Sequence, residues 1–301
     1  MAPDLVVMAA GIGSRYGGLK QLEPMGPAGE LLLDYAVYDS LRVGVQRVVF
    51  VVRRELERDF HAAVGRRFEG RLELVYAFQE LDDLPPPHQP PPTRRKPWGT
   101  GHAVLAARRH VRGPVIVINA DDMYGPEGIA TLAAFLGSGN GGQHAMVAYR
   151  LGQTLSPHGP VSRGVCVVRA DDTLGRIEEC TGVRAVGTAI AGLGADGTPR
   201  RFSGREPVSM NLWGFQADIF PILAAGFERF LAGAESNPDA EFYLPHAVTD
   251  AIAAGRATVR VFTTDFPWLG VTAREDRDAV VARLRELVHR GVYPSPLWPG
   301  P

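Results

Sequence analysis

Hydrophobic positions in the first half of the chain gather into short continuous runs separated by stretches with helical spacing. Asp4 to Ala9 (DLVVMA), Arg47 to Val52 (RVVFVV), Leu72 to Phe78 and Pro114 to Asn119 (PVIVIN) are dense in branched apolar residues, the composition of strands buried on both faces. Between them, Leu31 to Val43, Glu55 to Val64 and Gly101 to His110 repeat apolar residues every three or four positions, which predicts helices. Strands and helices in alternation predict βαβ crossovers and a mostly parallel sheet of the α/β class, covered by helices on both faces.

The pattern changes past the midpoint. Between about Gly164 and Gln216 the strand-like pieces GVCVVRA, LGRIEEC and VSMNLWGF alternate with glycine-rich turns, predicting antiparallel additions that make the sheet mixed. Helical spacing returns at Ala217 to Leu231, Phe242 to Ala254 and Glu275 to Arg290. No stretch has the length and composition of a linker, so residues 1–301 are expected to form one domain. Leu84 to Pro97 (LPPPHQPPPTRRKP) cannot be helix or interior strand, because proline fixes φ and lacks an N–H; it is expected to be a stiff extended loop, a surface excursion or a lid. The tail YPSPLWPGP is extended for the same reason. That tail, with Leu212 and Trp213, supplies the candidate surface for contact between copies in a homo-oligomer.

Bulk properties narrow the partners. A net charge of -1 gives no basic face for nucleic acid or an anionic membrane. The first residues lack a basic and apolar leader, no apolar run reaches spanning length, and the two cysteines, Cys166 and Cys180, lie too far apart for a metal or redox pair. A cytoplasmic location with reduced thiols is the expectation. Of 32 basic residues only Lys20 and Lys96 are lysine, and both fall inside distinctive segments. An ammonium differs from a guanidinium in reach and hydration.

The first strand runs directly into Ala9-Ala10-Gly11-Ile12-Gly13-Ser14-Arg15-Tyr16-Gly17-Gly18-Leu19-Lys20-Gln21. Glycines at a strand's carboxyl end let backbone N–H groups approach a polyphosphate, and Arg15 and Lys20 add charge. The dinucleotide fingerprint G-x-G-x-x-G fails at Tyr16, and no Walker A pattern is present. What remains, A-A-G-x-G-x-R followed by lysine, resembles the opening signature of the sugar-1-phosphate nucleotidyltransferase (NDP-sugar pyrophosphorylase-like) family.

That resemblance implies a Rossmann-like fold of the nucleotide-diphospho-sugar transferase type, with NTP and a phosphorylated small molecule as partners and Mg²⁺ as cofactor. Residues 1–150 would be the nucleotide-binding half and 151–301 the acceptor-binding half. It implies that Ala10, Gly11, Gly13 and Ser14 cradle the phosphates, that Arg15 contacts the β and γ phosphates, and that Lys20 bridges the α phosphate and the acceptor. Gln79 and the Gly99-Thr100 turn would read the base. Asp121, just past the fourth strand, matches the metal aspartate, with Asp122 as its helper or as a helix cap. Glu179, in Arg176-Ile177-Glu178-Glu179-Cys180, and Asn211 would contact the acceptor.

Two positions depart from the pattern. Cys180 stands where many of the sugar enzymes have lysine, and Gly270 stands where a second metal aspartate is expected; either the nearby Asp265 substitutes, or one protein carboxylate holds the metal together with NTP oxygens and water. The implied reaction is attack by an acceptor phosphate oxygen on the α phosphorus, with release of pyrophosphate. An ionised phosphate needs no general base, so no histidine is assigned; His102 reads as a packing residue. A glycosyltransferase that takes a finished nucleotide sugar, and a nucleotide sensor without catalysis, are the alternatives. The glycine-rich loop with its two cations speaks against the first.

Overall fold

The structure is a computed structural model, and it describes residues 2–11, 23–139, 141–234, 237, 239–271 and 274–298. In the first half, β1 (Asp4–Met8), α1 (Leu32–Arg42), β2 (Arg47–Val52), α2 (Glu57–Ala63), β3 (Glu73–Phe78), α3 (Thr100–Ala106) and β4 (Val115–Asn119) follow one another as the apolar pattern predicts. β1 lies between β2 and β4 and is parallel to both, Val6 standing opposite Val49 and Val117, and β3 continues the parallel set beyond β2. Next come β5 (Asp122–Met123), α4 (Pro126–Gly137) and β6 (His144–Arg150). The second half adds β7 (Val161–Val168), β8 (Leu174–Val186), β9 (Ala189–Leu193), β10 (Pro199–Phe202) and β11 (Pro207–Phe215), then α5 (Ile219–Ala234), α6 (Leu244–Ala253), β12 (Val259–Thr263), β13 (Leu269–Gly270) and α7 (Arg277–His289).

Among the described residues eleven strands join in one sheet, in the order β10-β9-β8-β7-β11-β4-β1-β2-β3, with β6 paired to β11 and β12 to β6. β11 is the seam. On one edge it runs antiparallel to β7 through Val208 and Ser209 and to β4 through Trp213 to Phe215, with β6 antiparallel along the other edge, so the parallel and antiparallel regions share it.

Alternation along the strands explains the two cores. Val6 and Met8 of β1 point to one face, where they meet α3, α5 and α6 through Val104, Phe227 and Val248. Leu5 and Val7 point to the other face, toward Leu33, Phe60 and Leu132 of α1, α2 and α4. Full burial of each such side chain contributes roughly 1.5–3 kcal/mol.

Leu212 and Trp213, expected at a surface between copies, are fully buried within this chain. Trp213 stacks on Phe215 at 5.5 Å, in the core between β11 and the helices. The tail also packs on the body. The Tyr293 hydroxyl donates to the buried Asp39 carboxylate at 2.7 Å, Leu297 N–H donates to Glu30 at 3.0 Å, and the Tyr293 ring meets Tyr35 edge-on. Burial raises the Asp39 carboxyl to about 7, and the Tyr293 hydrogen bond opposes that rise.

Residues 84–97 carry neither helix nor strand, as their prolines dictate, yet they are anchored. Arg94 is buried, lies 3.6 Å over the Trp98 ring, and donates to the carbonyls of Lys96, Pro97 and Ala240. The expected surface excursion is a strap fixed at its carboxyl end.

Candidate functional site

The carboxyl ends of the parallel strands are brought level by hydrogen bonds that continue one residue past them: Ala9 N–H to Val51 O at 2.8 Å, Gln79 N–H to Val52 O at 2.9 Å and Ala120 N–H to Met8 O at 3.2 Å. A cleft of about 640 Å³ opens there. Its lining gathers Ala10, Gly11, Gln79, Gly99, Thr100, Asp121 and Asn211 from segments far apart in sequence, together with Arg53, Arg95, Lys96 and Glu241. Gly13, Ser14, Arg15 and Lys20 lie outside the described residues.

Gln79 and the Gly99-Thr100 turn are one unit. Gln79 Nε2 donates to Gly99 O at 2.8 Å and lies 3.4 Å from His102 Nδ1. The His102 Nε2 atom sits 3.1 Å from the Asp83 carbonyl, which can only accept, so Nε2 carries the proton and Nδ1 accepts. Burial lowers the His102 pKa to about 4, the Asp83 contacts opposing that shift, so the ring is a neutral connector. It stacks on Phe227 at 4.7 Å, the packing role expected of it. Both amide protons of Gln79 are thereby committed, which leaves Oε1 as its remaining acceptor.

Gly99 has φ of +100°, and a Cβ there would lie 2.7 Å from the Phe242 carbonyl oxygen. The chain at 98–101 is clamped to 242–244 by Phe242 N–H to Trp98 O at 2.7 Å, Gly101 N–H to Phe242 O at 2.8 Å and Leu244 N–H to the Thr100 hydroxyl at 2.9 Å. Thr100 thereby accepts at its hydroxyl from the start of α6, and its turn offers a ligand backbone groups beside the hydroxyl's own proton.

Asp121 lines the cleft just past β4, half-buried. Asp122 is buried and lines neither this cleft nor its neighbour. Its Oδ2 accepts from Asn119 Nδ2 at 2.7 Å and stands 3.2 Å from the Tyr124 hydroxyl. Neither aspartate caps α4; the N-cap is Gly125, at φ of +80°. Asn119 in turn accepts from Asn211 Nδ2 at 3.3 Å, and Asn211 accepts from Trp213 Nε1 at 3.3 Å. Asn211 has φ of +61° at the bulge where β11 changes register with β6, an uncommon conformation that asparagine tolerates better than most residues.

A second cleft, of about 520 Å³, shares Thr100, Asn119 and Asn211 with the first. Three antiparallel strands form its floor. Glu179 of β8 stands opposite Gly164 of β7, which stands opposite Ser209 of β11. Any side chain at 164 would press on Ile177, a Cβ falling 2.8 Å from it, so the glycine keeps the floor open. Burial raises the Glu179 pKa, while His246 and Arg163 pull it back. Arg163, His246, Tyr243, Ser162 and Thr181 are among the other lining residues. Sequence reasoning missed all five. Arg163 is buried and donates to the carbonyls of Thr154 and Ser162. The one signal for it was a basic residue inside an apolar strand.

The two departures have structural explanations. Cys180 is buried in the core on the face opposite Glu179, among Val161, Val183 and Val208, so it does not stand in for a cleft lysine. Gly270 pairs with Asp122 across the β5–β13 ribbon, and a Cβ there would lie 2.3 Å from the Trp268 ring and 2.6 Å from Asp122 Oδ1. An aspartate at 270 would displace both. Asp265 is exposed, ion-paired with Arg150 at 2.6 Å, and lines neither cleft, which removes it as a substitute ligand. Among the described residues no group of three or more His, Cys, Asp or Glu side chains is placed to hold a metal ion, and no helix is long and apolar enough to cross a membrane.

Comparison with known proteins agrees with this architecture. The bifunctional protein GlmU of Methanococcus vannielii is 27% identical over 124 residues, 40% of this chain and 25% of that one. GlmU of Anaeromyxobacter sp. is 32% identical over 119 residues, 38% of this chain and 21% of that one. The chain thus spans a quarter or less of the length of these relatives. Two solved structures share the fold over nearly the whole chain. The inositol-1-phosphate CTP transferase of T. maritima has a TM-score of 0.59 at 14% identity, covering 95% of this chain and 97% of its own. A Bacillus anthracis protein assigned as a glucose-1-phosphate thymidylyltransferase, in complex with a sucrose, has a TM-score of 0.64 at 13% identity, covering 95% and 96%. The model of the MobA-like NTP transferase domain matches residues 5–192, more than half of the sequence, including β2, β3, β4 and nearly all of β1, and this chain belongs to that family.

Proposed function

We propose that this protein is a nucleotidyltransferase that joins the NMP of an NTP to a phosphorylated acceptor of the sugar 1-phosphate class and releases pyrophosphate. The observation that carries the reading is the pair of adjoining clefts, which meet along Thr100, Asn119 and Asn211 and differ in chemistry. One lies at the ends of parallel strands, where α/β sheets bind nucleotides. The other has a floor of carboxylate and hydroxyl groups, suited to a polyhydroxylated acceptor. Residues 1–150 supply most of the first cleft and residues 151–301 most of the second, within one domain.

In this reading an acceptor phosphate oxygen forms a bond to the α phosphorus while the bond from that phosphorus to the β-phosphate oxygen breaks. Pyrophosphate carries the electron pair away. No proton need move, because the nucleophile is already ionised, which agrees with a site whose one buried histidine is neutral. Catalysis then rests on holding the two substrates in line and on neutralising charge. Gln79 Oε1 and the Gly99-Thr100 backbone take the base, Ala10 and Gly11 begin the phosphate loop, and Glu179 and Asn211 hold the acceptor. Arg15, Lys20, Gly13 and Ser14 keep the roles their resemblance implies.

Asp121 fits a Mg²⁺ ion as its single protein carboxylate, since Mg²⁺ commonly keeps water and substrate phosphate oxygens as its other ligands. Bound there, the ion would neutralise charge on the phosphates. Asp122 serves as a positioning residue, fixing Asn119 at the junction of the clefts. Pyrophosphate release measured with Mg²⁺ across all common NTPs and a panel of sugar 1-phosphates and other phosphorylated alcohols tests the reading. Acceptor-dependent release that Lys20→Ala abolishes is expected. NTP binding without release from any pairing would overturn it.

A further inference from the structure

Among the described residues three cations of the nucleotide-side cleft come from outside the phosphate loop: Arg53 just past β2, and Arg95 and Lys96 on the proline strap. They are not equivalent. Arg53 forms an ion pair with Glu55. Arg95 donates to Pro92 O at 2.8 Å and Arg94 O at 3.1 Å, so its guanidinium is turned back on its own loop. Among the described residues Lys96 has no ion-pair or hydrogen-bond partner for its ammonium.

The backbone of Lys96 is nonetheless fixed more firmly than its exposure suggests. Its carbonyl accepts from the buried Arg94 at 2.9 Å, and the same guanidinium holds Pro97 O at 2.8 Å and Ala240 O at 2.9 Å. The following proline restricts residue 96 to extended conformations. Pro97 joins Trp98, whose indole N–H donates to Leu81 O at 2.9 Å and closes the base of the strap. A lysine whose α-carbon is placed in advance at the cleft has only its side chain left to order. Such pre-placement lowers the entropic cost of meeting a ligand.

Resting on the nucleotidyltransferase reading, we propose that Lys96 contacts the phosphates of the bound nucleotide, so that the proline strap is a fixed second arm of the phosphate site. A compact ammonium on a four-carbon stem suits a polyanion whose oxygens shift during reaction better than a rigid planar fork does. The chain is otherwise nearly devoid of lysine: 32 basic residues include only Lys20 and Lys96, one in the phosphate loop and one on the strap. The strap turns this lysine toward a cleft that also holds Asp121 and Glu241, so an anionic ligand there needs local cations.

Calorimetric titration of the wild type, Lys96→Ala and Lys96→Arg with ATP, CTP, GTP, UTP and dTTP, and with the monophosphate matching whichever binds, tests the proposal. Expected for Lys96→Ala is a loss of at least tenfold in triphosphate affinity, a smaller loss for the monophosphate, a shallower salt dependence and an unchanged melting temperature. Lys96→Arg should recover part of the affinity. Triphosphate binding by Lys96→Ala within twofold of wild type overturns the proposal and leaves the transferase reading standing. Equal losses for triphosphate and monophosphate also overturn it, since the lysine would then serve base or ribose. A wild type that binds no triphosphate overturns the parent reading, and this one with it.

Discussion

The nucleotide-side cleft is lined where parallel strands end, and the acceptor-side cleft where antiparallel strands run past. At the first, ligand-facing groups sit on loops just beyond β1, β3 and β4, and much of what they offer is backbone, as at Gly11 and Gly99. At the second, side chains rise from the middle of β7, β8 and β11, and pairing register decides which ones line the cleft: Glu179 does and Cys180 does not. Motifs at strand ends tolerate small errors in placing the strand. A floor made of strand interiors does not, because a one-residue slip exchanges its two faces. Under the proposed function, the nucleotide side is the fixed one, and the acceptor side is where few substitutions would change specificity.

The sharpest test of that division is Asp121→Asn, which removes the carboxylate assigned to the metal while keeping the shape. Pyrophosphate release is expected to fall by about 10³-fold, as loss of a main charge-stabilising group does, with the melting temperature unchanged because Asp121 is only half-buried. Retention of activity within tenfold would remove Asp121 from the centre of the chemistry. Gly99→Ala comes next and strikes fold and site together. With φ of +100° and Phe242 backbone atoms 2.7–2.9 Å from the new Cβ, the turn must shift. The expected destabilisation is about 2–4 kcal/mol by urea unfolding, accompanied by weaker NTP binding. A stable variant with weakened NTP binding would mean that the turn yields locally and that its backbone, not the fold, is what the ligand needs.

Glu179→Gln tests the opposite side. Acceptor kcat/KM is expected to fall about 10- to 100-fold, the scale of a lost charged hydrogen bond, while NTP affinity stays unchanged. Burial lifts the Glu179 pKa above the ordinary glutamate range, so the wild-type carboxylate is lost as pH falls through that raised pKa. Acceptor KM in the wild type should accordingly rise toward acid, and the variant should lack that limb. An NTP affinity that moves with Glu179 would break the division into two sides.

How far the sequence could be read follows the same line. β1, β2, β3 and β4 were legible because each is a continuous apolar run bounded by turns, and the residues just past them, Gln79 and Asp121, do line the cleft. β6 and β12 were not. HAMVAYR and VRVFT are short, carry alanine or arginine among their apolar positions, and gain their identity by pairing with each other, which no local pattern reveals. Leu212 and Trp213 looked like surface residues for a related reason, since only tertiary packing shows both faces of β11 covered, Leu212 entering the core with α1 and α4 and Trp213 the core with α5 and α6. Arg163 and His246 belong to the acceptor cleft through register and through the placement of α6 beside β8, facts of tertiary packing. The Gly270 departure could be seen in the sequence, but its cause, the Trp268 ring and Asp122 filling the space, could not.

The smallest expected effect tests the seam between the clefts. Asn211 lines both of them at φ of +61°, and its side chain joins Asn119 to the fully buried Trp213 through two 3.3 Å hydrogen bonds. Asn211→Gly relieves the left-handed backbone, worth up to about 1 kcal/mol, and loses two long bonds worth about 1 kcal/mol or less each. Its net destabilisation should be about 1 kcal/mol or less in urea. Asn211→Ala loses the same bonds without the relief and should be about 1 kcal/mol worse than Asn211→Gly, so the difference between the two variants isolates the backbone strain. If the clefts act as one reaction site, Asn211→Gly raises the KM for both substrates despite its small cost in stability. A change confined to the acceptor would mean that Asn211 belongs to the antiparallel floor alone, and that Asn119 by itself carries the connection between the two sides.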